Sequence, residues 1–318
     1  MNLSQLYETG KGIIREHDYS LLLEGVETGF VLKNNRRVMD RYTFRQRAID
    51  ASEASTGCNI LGIELATPVI MSAITMPIPA LAEDGLMKVA LGLKEAGSLM
   101  WTGTPVPGNL EELVATGVPI ASTVKPFRDR KKIFEELERI QKADVCWAGI
   151  EIDVGYGTKI KDRPIVSDCA PLSLAELKDI RKSVSGTLIF KGVLSQADAF
   201  KSVEAGANGI VVSNHGAHTL DYLPHPFQVM DEIMEAIQGK TVVMMDGGFR
   251  RGSDVLKGLA FGASLVGLGR PILYALAADG QAGVKSLITE ITAELSRIMS
   301  MVGLKNPASA SRDILIEG

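Results

Sequence analysis

The sequence has few cysteines and no closely spaced cysteine pair, which argues against two common ways of stabilising a small core, disulfide bonds and structural zinc. Its 318 residues include three cysteines and four histidines. Cys58, Cys146 and Cys169 lie far apart without CxxC spacing, so the sequence predicts neither a disulfide framework nor a zinc site, and we expect no other metal site. Unpaired thiols suit a reducing compartment, and we expect a cytoplasmic protein.

Long apolar runs, a leader pattern and an excess of basic charge are also missing. No stretch approaches the length of a membrane span, and residues 1–5 show no basic segment followed by an apolar one. We therefore expect a soluble, unprocessed protein without membrane contact. The formal net charge is −4, and we interpret the basic cluster at residues 128–132 as a solvated helix start. No nucleic-acid partner is predicted.

From residue 66 onward, short apolar runs alternate with amphipathic stretches, and this alternation predicts strands followed by helices. The eight predicted strands are Pro68–Ser72, Ser98–Thr102, Pro119–Val124, Cys146–Asp153, Thr187–Lys191, Gly209–Ser213, Thr241–Asp246 and Ser264–Gly269. The predicted helices are Ala80–Ala96, Leu110–Thr116, Lys131–Ala143, Leu174–Val184, Ala197–Ala205, Phe227–Ile237, Gly252–Phe261 and Ile272–Met301. A capping box at Ser173 and Glu176 marks one helix start.

Eight strands that are each followed by a helix, without a linker between them, predict an α/β protein with a (β/α)8 TIM barrel. A doubly wound sheet is the alternative, and it would carry a glycine-rich dinucleotide motif after its first strand, where residues 73–77 read AITMP. Residues 1–60 are polar, with helices expected at Leu3–Glu16 and Tyr19–Glu24 and a basic run at Lys33–Arg47. We predict one domain over residues 1–318, in which this N-terminal extension packs on the barrel without contributing to its core.

The seventh and eighth predicted strands end in glycine-rich turns, where barrels often bind phosphate. Residues 246–252 read DGGFRRG, and residues 267–271 read GLGRP. Glycines let backbone N–H groups approach an anion, the following helix start favours negative charge, and Arg250 or Arg270 can add charge-assisted hydrogen bonds. One such turn could be only a tight connection, but two at these strands predict a phosphorylated ligand.

Three other strand ends bring acid–base groups to the same end of the predicted barrel. The sixth strand leads into His215, our candidate base, and the fifth ends at Lys191, whose amine can neutralise developing negative charge. On the fourth strand, alternation places Glu151 and Asp153 on one face, from which Asp153 could orient His215. His17 and His225 lack such neighbours and are expected at the surface.

A series of motifs follows in a fixed order along the chain. They are Asn35-Arg36-Arg37, Lys191-Gly192-Val193-Leu194, Ser213-Asn214-His215-Gly216-Ala217, Asp246-Gly247-Gly248, Arg250-Arg251-Gly252 and Gly269-Arg270-Pro271. In this order they resemble the FMN-dependent α-hydroxy-acid dehydrogenase and oxidase family, to which glycolate oxidase, lactate oxidase and mandelate dehydrogenase belong. The resemblance covers most of the chain and is strongest from residue 191 to residue 284.

The resemblance implies an FMN-dependent oxidoreductase that takes hydride from a carbon bearing a hydroxyl group, with His215 as base, Asp153 as its partner and Lys191 at the N1/O2 edge of the flavin. It also implies a homo-oligomer, with a tetramer favoured. The phosphate would lie on Gly248, Arg250, Gly269 and Arg270. The implied cofactor contacts are Ala73, Ile74, Thr75, Gly103, Thr123, Glu151, Lys191, Ser213, Asp246, Gly247, Gly248, Arg250, Gly269 and Arg270.

The positions expected on the substrate side depart from the family pattern. The segment after the fourth strand, residues 154–172, is shorter than the family's usual lid, which carries another arginine. From the residues present we predict that His215, His218 and Lys125 contact the substrate, and that the substrate is not a small acid such as glycolate. The replacements are His218 for the arginine that binds the substrate carboxylate, Leu21 and Lys125 for two tyrosines, Thr123 for a flavin-contacting glutamine and Glu151 for a threonine.

Two other functions stay open at this point. A barrel that binds a different phosphorylated ligand, such as a nucleotide, would need a nucleophilic cysteine at its mouth, and none of the three cysteines is predicted there. A flavin-binding barrel that has lost turnover would not require the base His215, its partner Asp153 and Lys191 together.

Overall fold

The computed structural model describes residues 1–17 and 19–318, and its main sheet contains the eight predicted strands. Within it the order is β4, β13, β12, β11, β10, β7, β6, β5, with parallel pairing throughout. The strands are β1 (Tyr42–Phe44), β2 (Cys58–Ile60), β3 (Ile63–Leu65), β4 (Val69–Met71), β5 (Met100–Thr102), β6 (Ile120–Val124), β7 (Trp147–Glu151), β8 (Thr158–Ile160), β9 (Arg163–Val166), β10 (Thr187–Val193), β11 (Gly209–Val212), β12 (Val242–Met245), β13 (Leu265–Leu268) and β14 (Leu315–Glu317).

The sheet closes into a barrel between β4 and β5. There the N–H of Met71 donates to the carbonyl oxygen of Leu99 over 3.1 Å, and the N–H of Ile74 donates to that of Trp101 over 3.1 Å. These bonds join the two ends of the sheet without a regular ladder. The predicted (β/α)8 barrel is therefore confirmed, and the doubly wound alternative is excluded.

Alternation along the strands separates two apolar layers, because successive side chains point to opposite faces of a sheet. In β10, Phe190 packs in the layer against the helices, whereas Ile189 packs in the barrel interior. Trp101 and Trp147 fill much of that interior, and the hairpin of β2 and β3 packs against the same layer. The interior is a packed core, so a ligand can bind only at the carboxyl ends of the strands.

The helices surround the sheet and begin close to the predicted positions. Ser173 and Glu176 form the predicted capping box, and Asp129 caps the helix that follows it. The last helix is kinked at Asp279 and Gly280. Among the described helices none is both long enough and apolar enough to cross a membrane. The helices are α1 (Leu3–Glu16), α2 (Phe30–Asp40), α3 (Ile78–Leu81), α4 (Gly85–Glu95), α5 (Leu110–Ala115), α6 (Arg130–Lys142), α7 (Leu174–Ser183), α8 (Gln196–Glu204), α9 (Met230–Ile237), α10 (Gly252–Ala260) and α11 (Arg270–Met301).

The N-terminal extension contributes to the core, and the prediction that it would not was wrong. Leu6 and Ile14 of α1 and Met39 of α2 are fully buried. α1 packs against α11, where Gly10 lets the two helices meet at the backbone of Tyr274. The apolar residues of α1 recur at helical spacing and form one buried face, which the polar average composition of the segment conceals.

Candidate active site

The open end of the barrel contains a cavity of about 600 Å³. The structure brings the predicted site residues together there. Those that line the cavity are Ala73, Ile74, Thr75, Gly103, Lys125, Glu151, Lys191, His215, His218, Asp246, Gly247, Gly248, Arg250, Gly269 and Arg270. Those that support the lining are Asp153 against His215, Thr123 against Glu151 and Ser213 against Lys191.

His215 follows β11 and pairs with the carboxylate of Asp153. Its Nδ1 lies 2.9 Å from Asp153 Oδ2, and its backbone N–H donates to Ser213 Oγ over 3.0 Å. Burial would raise the pKa of Asp153, but His215 and Lys191 together lower that pKa below its ordinary value. The ionised carboxylate accepts a hydrogen bond from Nδ1–H, and this leaves Nε2 as the nitrogen with a free lone pair.

A bulge in β10 makes room for the Asp153 carboxylate. The register between β10 and β11 shifts between Lys191 and Val193, and Gly192 has a φ of +95°. A Cβ atom on Gly192 would lie 2.5 Å from Asp153 Cβ and would overlap the carboxyl group. Glycine is therefore required for both its backbone conformation and its lack of a side chain.

Lys191 places a buried positive charge at the centre of the mouth. Its side chain is 4% exposed, and Nζ lies 3.5 Å from Asp246 Oδ2 and 3.3 Å from Ser213 Oγ. Ser213 in turn donates to Asp246. Burial lowers the pKa of Lys191, but the carboxylates of Asp246, Asp153 and Glu151 outweigh it and raise the pKa above its ordinary value. The amine is therefore a permanent cation.

A second buried ion pair lies beside His215. Lys125 Nζ contacts Glu151 Oε2 at 2.7 Å, with side chains 6% and 2% exposed. Thr123 donates to Glu151 Oε1 over 3.1 Å, and Glu151 Oε2 lies 3.7 Å from His215 Nε2. Burial acts to raise the pKa of Glu151, but Lys125, His215 and Lys191 bring it well below its ordinary value. Glu151 is thus an ionised carboxylate in contact with both amine and imidazole.

The turn after β12 has the open backbone that an anion needs. Gly247 and Gly248 have φ values of +115° and +90°, and a Cβ on Gly248 would lie 2.9 Å from Asn35 Cβ. Arg250 lines the cavity, its backbone N–H donates to Asp254, and no protein acceptor for its guanidinium is found in residues 1–17 and 19–318. α10 begins at Gly252, so helical N–H groups face the same turn.

Arg270 uses most of its donors within the protein. Its guanidinium donates to the carbonyl oxygens of Leu22, Gly216 and Glu24 over 2.8, 3.0 and 2.7 Å. A further Nη2 contact reaches His218 Nε2 at 3.0 Å. An arginine has five donors, so one Nη1 hydrogen is left for a phosphate.

His218 lines the cavity, where it is predicted to contact the substrate, but it adds no positive charge there. Burial, followed by the charge of Arg270, lowers its pKa well below the ordinary value. Its Nε2 lies 3.0 Å from Arg270 Nη2, which can only donate, and 3.3 Å from the carbonyl oxygen of Glu24, which can only accept. A neutral imidazole brings no positive charge to a carboxylate, so His218 differs from the arginine of the family pattern, and its contact with the substrate stays a prediction.

His225 is fully buried, and the prediction of a surface position was wrong. Its Nε2 donates to the carbonyl oxygen of Gly247 at 3.2 Å, and its Nδ1 accepts from the N–H of Phe227 at 3.2 Å. Asn214 similarly donates to Asn35 Oδ1 over 2.7 Å. These residues support the glycine turn from below. Their sequence signals are the Asn35-Arg36-Arg37 motif and the Pro226 that follows His225.

The segment after the fourth barrel strand forms a hairpin that covers the cavity. Its residues Lys159 and Lys161 donate backbone hydrogen bonds to His218 and Gly25 over 2.9 and 2.7 Å. These bonds attach the N-terminal segment and the loop after β11 to the hairpin. Arg163 of β9 also lines the cavity. It was not predicted, because its only signal in the sequence is a lone arginine in a polar stretch.

The cysteines do not provide the nucleophile that a nucleotide-binding barrel of the alternative kind would need. Cys58 and Cys146 pack at the amino-terminal end of the barrel. Burial raises their pKa values to about 11 and about 12. Cys169 lies beyond the hairpin, and burial also raises its pKa. Thiols with raised pKa values are poor nucleophiles at neutral pH.

Comparison with known proteins gives one consistent result. A family model described as FMN-dependent dehydrogenase matches residues 11–164 and 158–317. Glycolate oxidase 3 of Arabidopsis thaliana is 29% identical over 348 residues, covering 98% of this chain and 94% of that protein. Glycolate oxidase 1 of Oryza sativa subsp. indica is 30% identical over 331 residues, covering 92% and 89%. A crystal structure of mandelate oxidase has a TM-score of 0.90 at 28% identity, covering 100% and 98%.

The residues of the cavity fit FMN on chemical grounds. Lys191 offers a cation to an electron-rich ring edge, Asp246 offers acceptors to a hydroxylated chain, and the turn with Gly248 and Arg250 offers donors to a phosphate. The glycines keep side chains out of this path. With the family match over nearly the whole length, these groups lead to one conclusion: the chain belongs to the FMN-dependent dehydrogenase family, and it is an oxidoreductase with FMN as its cofactor.

Proposed function

We propose that the chain oxidises 2-hydroxy acids, with His215 as the base that removes the hydroxyl proton. The observation that carries this proposal is the pair of His215 and Asp153 at 2.9 Å, placed in the same cavity as Lys191. FMN, when bound, supplies the acceptor for the hydride that leaves the carbon next to the hydroxyl. His215 Nε2 takes the proton in the same reaction.

The neighbouring residues stabilise the charges that this reaction creates. The Asp153 carboxylate stabilises the imidazolium that forms when Nε2 is protonated, and it fixes the ring in the orientation required. The buried ammonium of Lys191 offsets the negative charge that arrives with the hydride. Residues of the covering hairpin line the cavity beside these groups.

We propose a substrate that bears an apolar side chain, which glycolate lacks. Leu21, Ile160 and Ile165 line the cavity from the covering segments. Mandelate oxidase, whose name denotes an acid with an aromatic side chain, has a TM-score of 0.90 with this chain, and a related structure contains 2-hydroxy-phenylacetamide. These observations support acids with aliphatic or aromatic side chains.

We further infer a homo-oligomer, with a tetramer favoured, in the cytoplasm. Family resemblance supports the first inference, and three free cysteines support a reducing compartment. Light scattering of the purified protein tests the stoichiometry, and a monomeric mass would contradict it. Imaging of the tagged protein in its own cell tests the compartment.

The decisive experiment is anaerobic reduction of the bound flavin. The FMN-loaded protein should bleach with a 2-hydroxy acid that carries an apolar side chain. His215→Ala should keep its flavin and should bleach about 10² to 10⁴ times more slowly, because a general base contributes about this factor. The matched control is His17→Ala, at an exposed histidine. Bleaching of His215→Ala at the parent rate would refute the assignment of the base.

A further inference from the structure

The hydrogen-bonding capacity left unused beside His215 belongs to Lys125. Its ammonium has three donors, and one is directed to Glu151 Oε2 at 2.7 Å. In the part of the chain that the structure describes, no second acceptor approaches Nζ. Glu151 is already satisfied on both oxygens, by Thr123 on Oε1 and by Lys125 on Oε2. The buried pair therefore offers donors, and what it lacks is an acceptor.

Lys125 lies close enough to His215 for one 2-hydroxy acid to contact both residues. The same Glu151 oxygen contacts Lys125 Nζ at 2.7 Å and lies 3.7 Å from His215 Nε2, so the amine and the base flank one point. In a 2-hydroxy acid the hydroxyl and carboxyl groups sit on adjacent carbons. A substrate whose hydroxyl meets His215 Nε2 can therefore present a carboxylate oxygen to Lys125.

Of the other cations that line the cavity, Lys159, Arg163 and Arg250 are exposed, and Arg250 lies at the glycine turn. Arg270 and Lys191 are less available for this role. Arg270 has directed most of its donors to backbone carbonyls and to His218. Lys191 is engaged by Asp246 and Ser213. His218 is a neutral imidazole, because burial and the charge of Arg270 lower its pKa well below the ordinary value. Lys125 is the buried cation that combines unused donors with a position next to the base.

We propose that Lys125, oriented by Glu151, binds the carboxylate of the substrate. This inference rests on the proposed oxidation of 2-hydroxy acids. An ammonium is a point charge that binds one oxygen, whereas a guanidinium binds two in a fixed plane. Glu151 fixes the direction of the ammonium and offsets part of its charge, so it sets how strongly an anion is held. Both residues determine specificity through the substrate's acidic group.

The test measures anion binding without turnover. Oxalate is titrated into the FMN-loaded protein, and its Kd is read from the perturbation of the flavin absorption spectrum. Lys125→Met should weaken oxalate binding by about 10- to 100-fold, as expected for the loss of a hydrogen bond from a charged donor. Glu151→Gln should tighten it several-fold, because the ammonium loses its neutralising partner. A merely structural pair would move both values in the same direction.

Matched variants keep the test decisive. Lys178→Met removes a lysine that pairs with Glu204 at 2.6 Å on the exposed surface, and oxalate binding should be unchanged. Lys125→Met strands a buried carboxylate and could unfold the protein, so the double variant Lys125→Met/Glu151→Gln removes both charges, and it should also bind oxalate weakly. Parent-like binding by the folded double variant overturns the proposal. Failure of the parent to bleach with any 2-hydroxy acid would instead refute the proposed function.

Discussion

His225 is a buried imidazole that supports the glycine turn after β12, and its protonation makes the stability of the fold depend on pH. Burial lowers the pKa of His225 from 6.5 to about 3 in the folded protein. The unfolded chain therefore binds more protons between these two pH values, and the free energy of unfolding falls as the pH falls through this window. Each pKa unit corresponds to about 1.4 kcal/mol, so the loss amounts to a few kcal/mol.

We expect His225→Gln to make this dependence less steep, because glutamine has no proton to gain. The measurement is the free energy of unfolding by denaturant at several pH values between 7 and 4, for the parent and the variant. His17→Gln, at an exposed position, is the control and should keep the parent slope. Equal slopes for the parent and His225→Gln would contradict the buried, neutral assignment.

At the residue scale, strand ends predicted more of the site than residue type did. His215, Asp153 and Lys191 were identified because each follows a short apolar run, and parallel strands bring such positions together. The states of His218 and His225 were not predictable in this way. They depend on Arg270 and on the carbonyl of Gly247, which reach them through the tertiary fold and not through sequence spacing.

At the scale of one element, the bulge in β10 is what allows the base and its partner to meet. Gly192→Ala would place a methyl group in the space of the Asp153 carboxyl group, at a φ of +95°. We expect the variant to bind FMN and to bleach with substrate at least about tenfold more slowly, because Asp153 no longer orients His215. The measurement is the anaerobic rate of flavin reduction at saturating substrate.

The matched control for this element is Gly186→Ala, just before the same strand. A Cβ on Gly186 would meet no atom within 4 Å, so this variant should reduce its flavin at the parent rate. If Gly192→Ala also reacts at the parent rate, the contact between Gly192 and Asp153 is not needed for the reaction.

Elements were predicted well where one local signal decides. Buried apolar runs located the barrel strands, and the capping box of Ser173 and Glu176 located a helix start. The hairpin of β8 and β9 was not predicted, because its polar residues are ordered by backbone bonds to distant segments such as the one from Lys161 to Gly25. The burial of α1 was not predicted, because the segment is polar on average and its apolar residues are confined to one helical face.

At the scale of the whole molecule, the barrel mouth gathers charges that a bound cofactor would complement. FMN should raise the free energy of unfolding, by about 2.7 kcal/mol when its free concentration is one hundred times its Kd. Riboflavin lacks the phosphate and should stabilise less, because it makes no contact with the turn of Gly248 and Arg250. Thermal unfolding of the flavin-free protein with each compound measures this. Equal stabilisation by both would contradict a phosphate site at this turn.

The attachment of the covering segment has a consequence for how the enzyme can change. Arg270 donates hydrogen bonds to the main-chain oxygens of residues 22 and 24. The side chain of Leu21, which lines the cavity, can therefore be exchanged without breaking this attachment. The main-chain attachment of this segment and the Leu21 side chain at the cavity are thus independent, so a library randomised at residue 21 is a direct route to new substrate preferences.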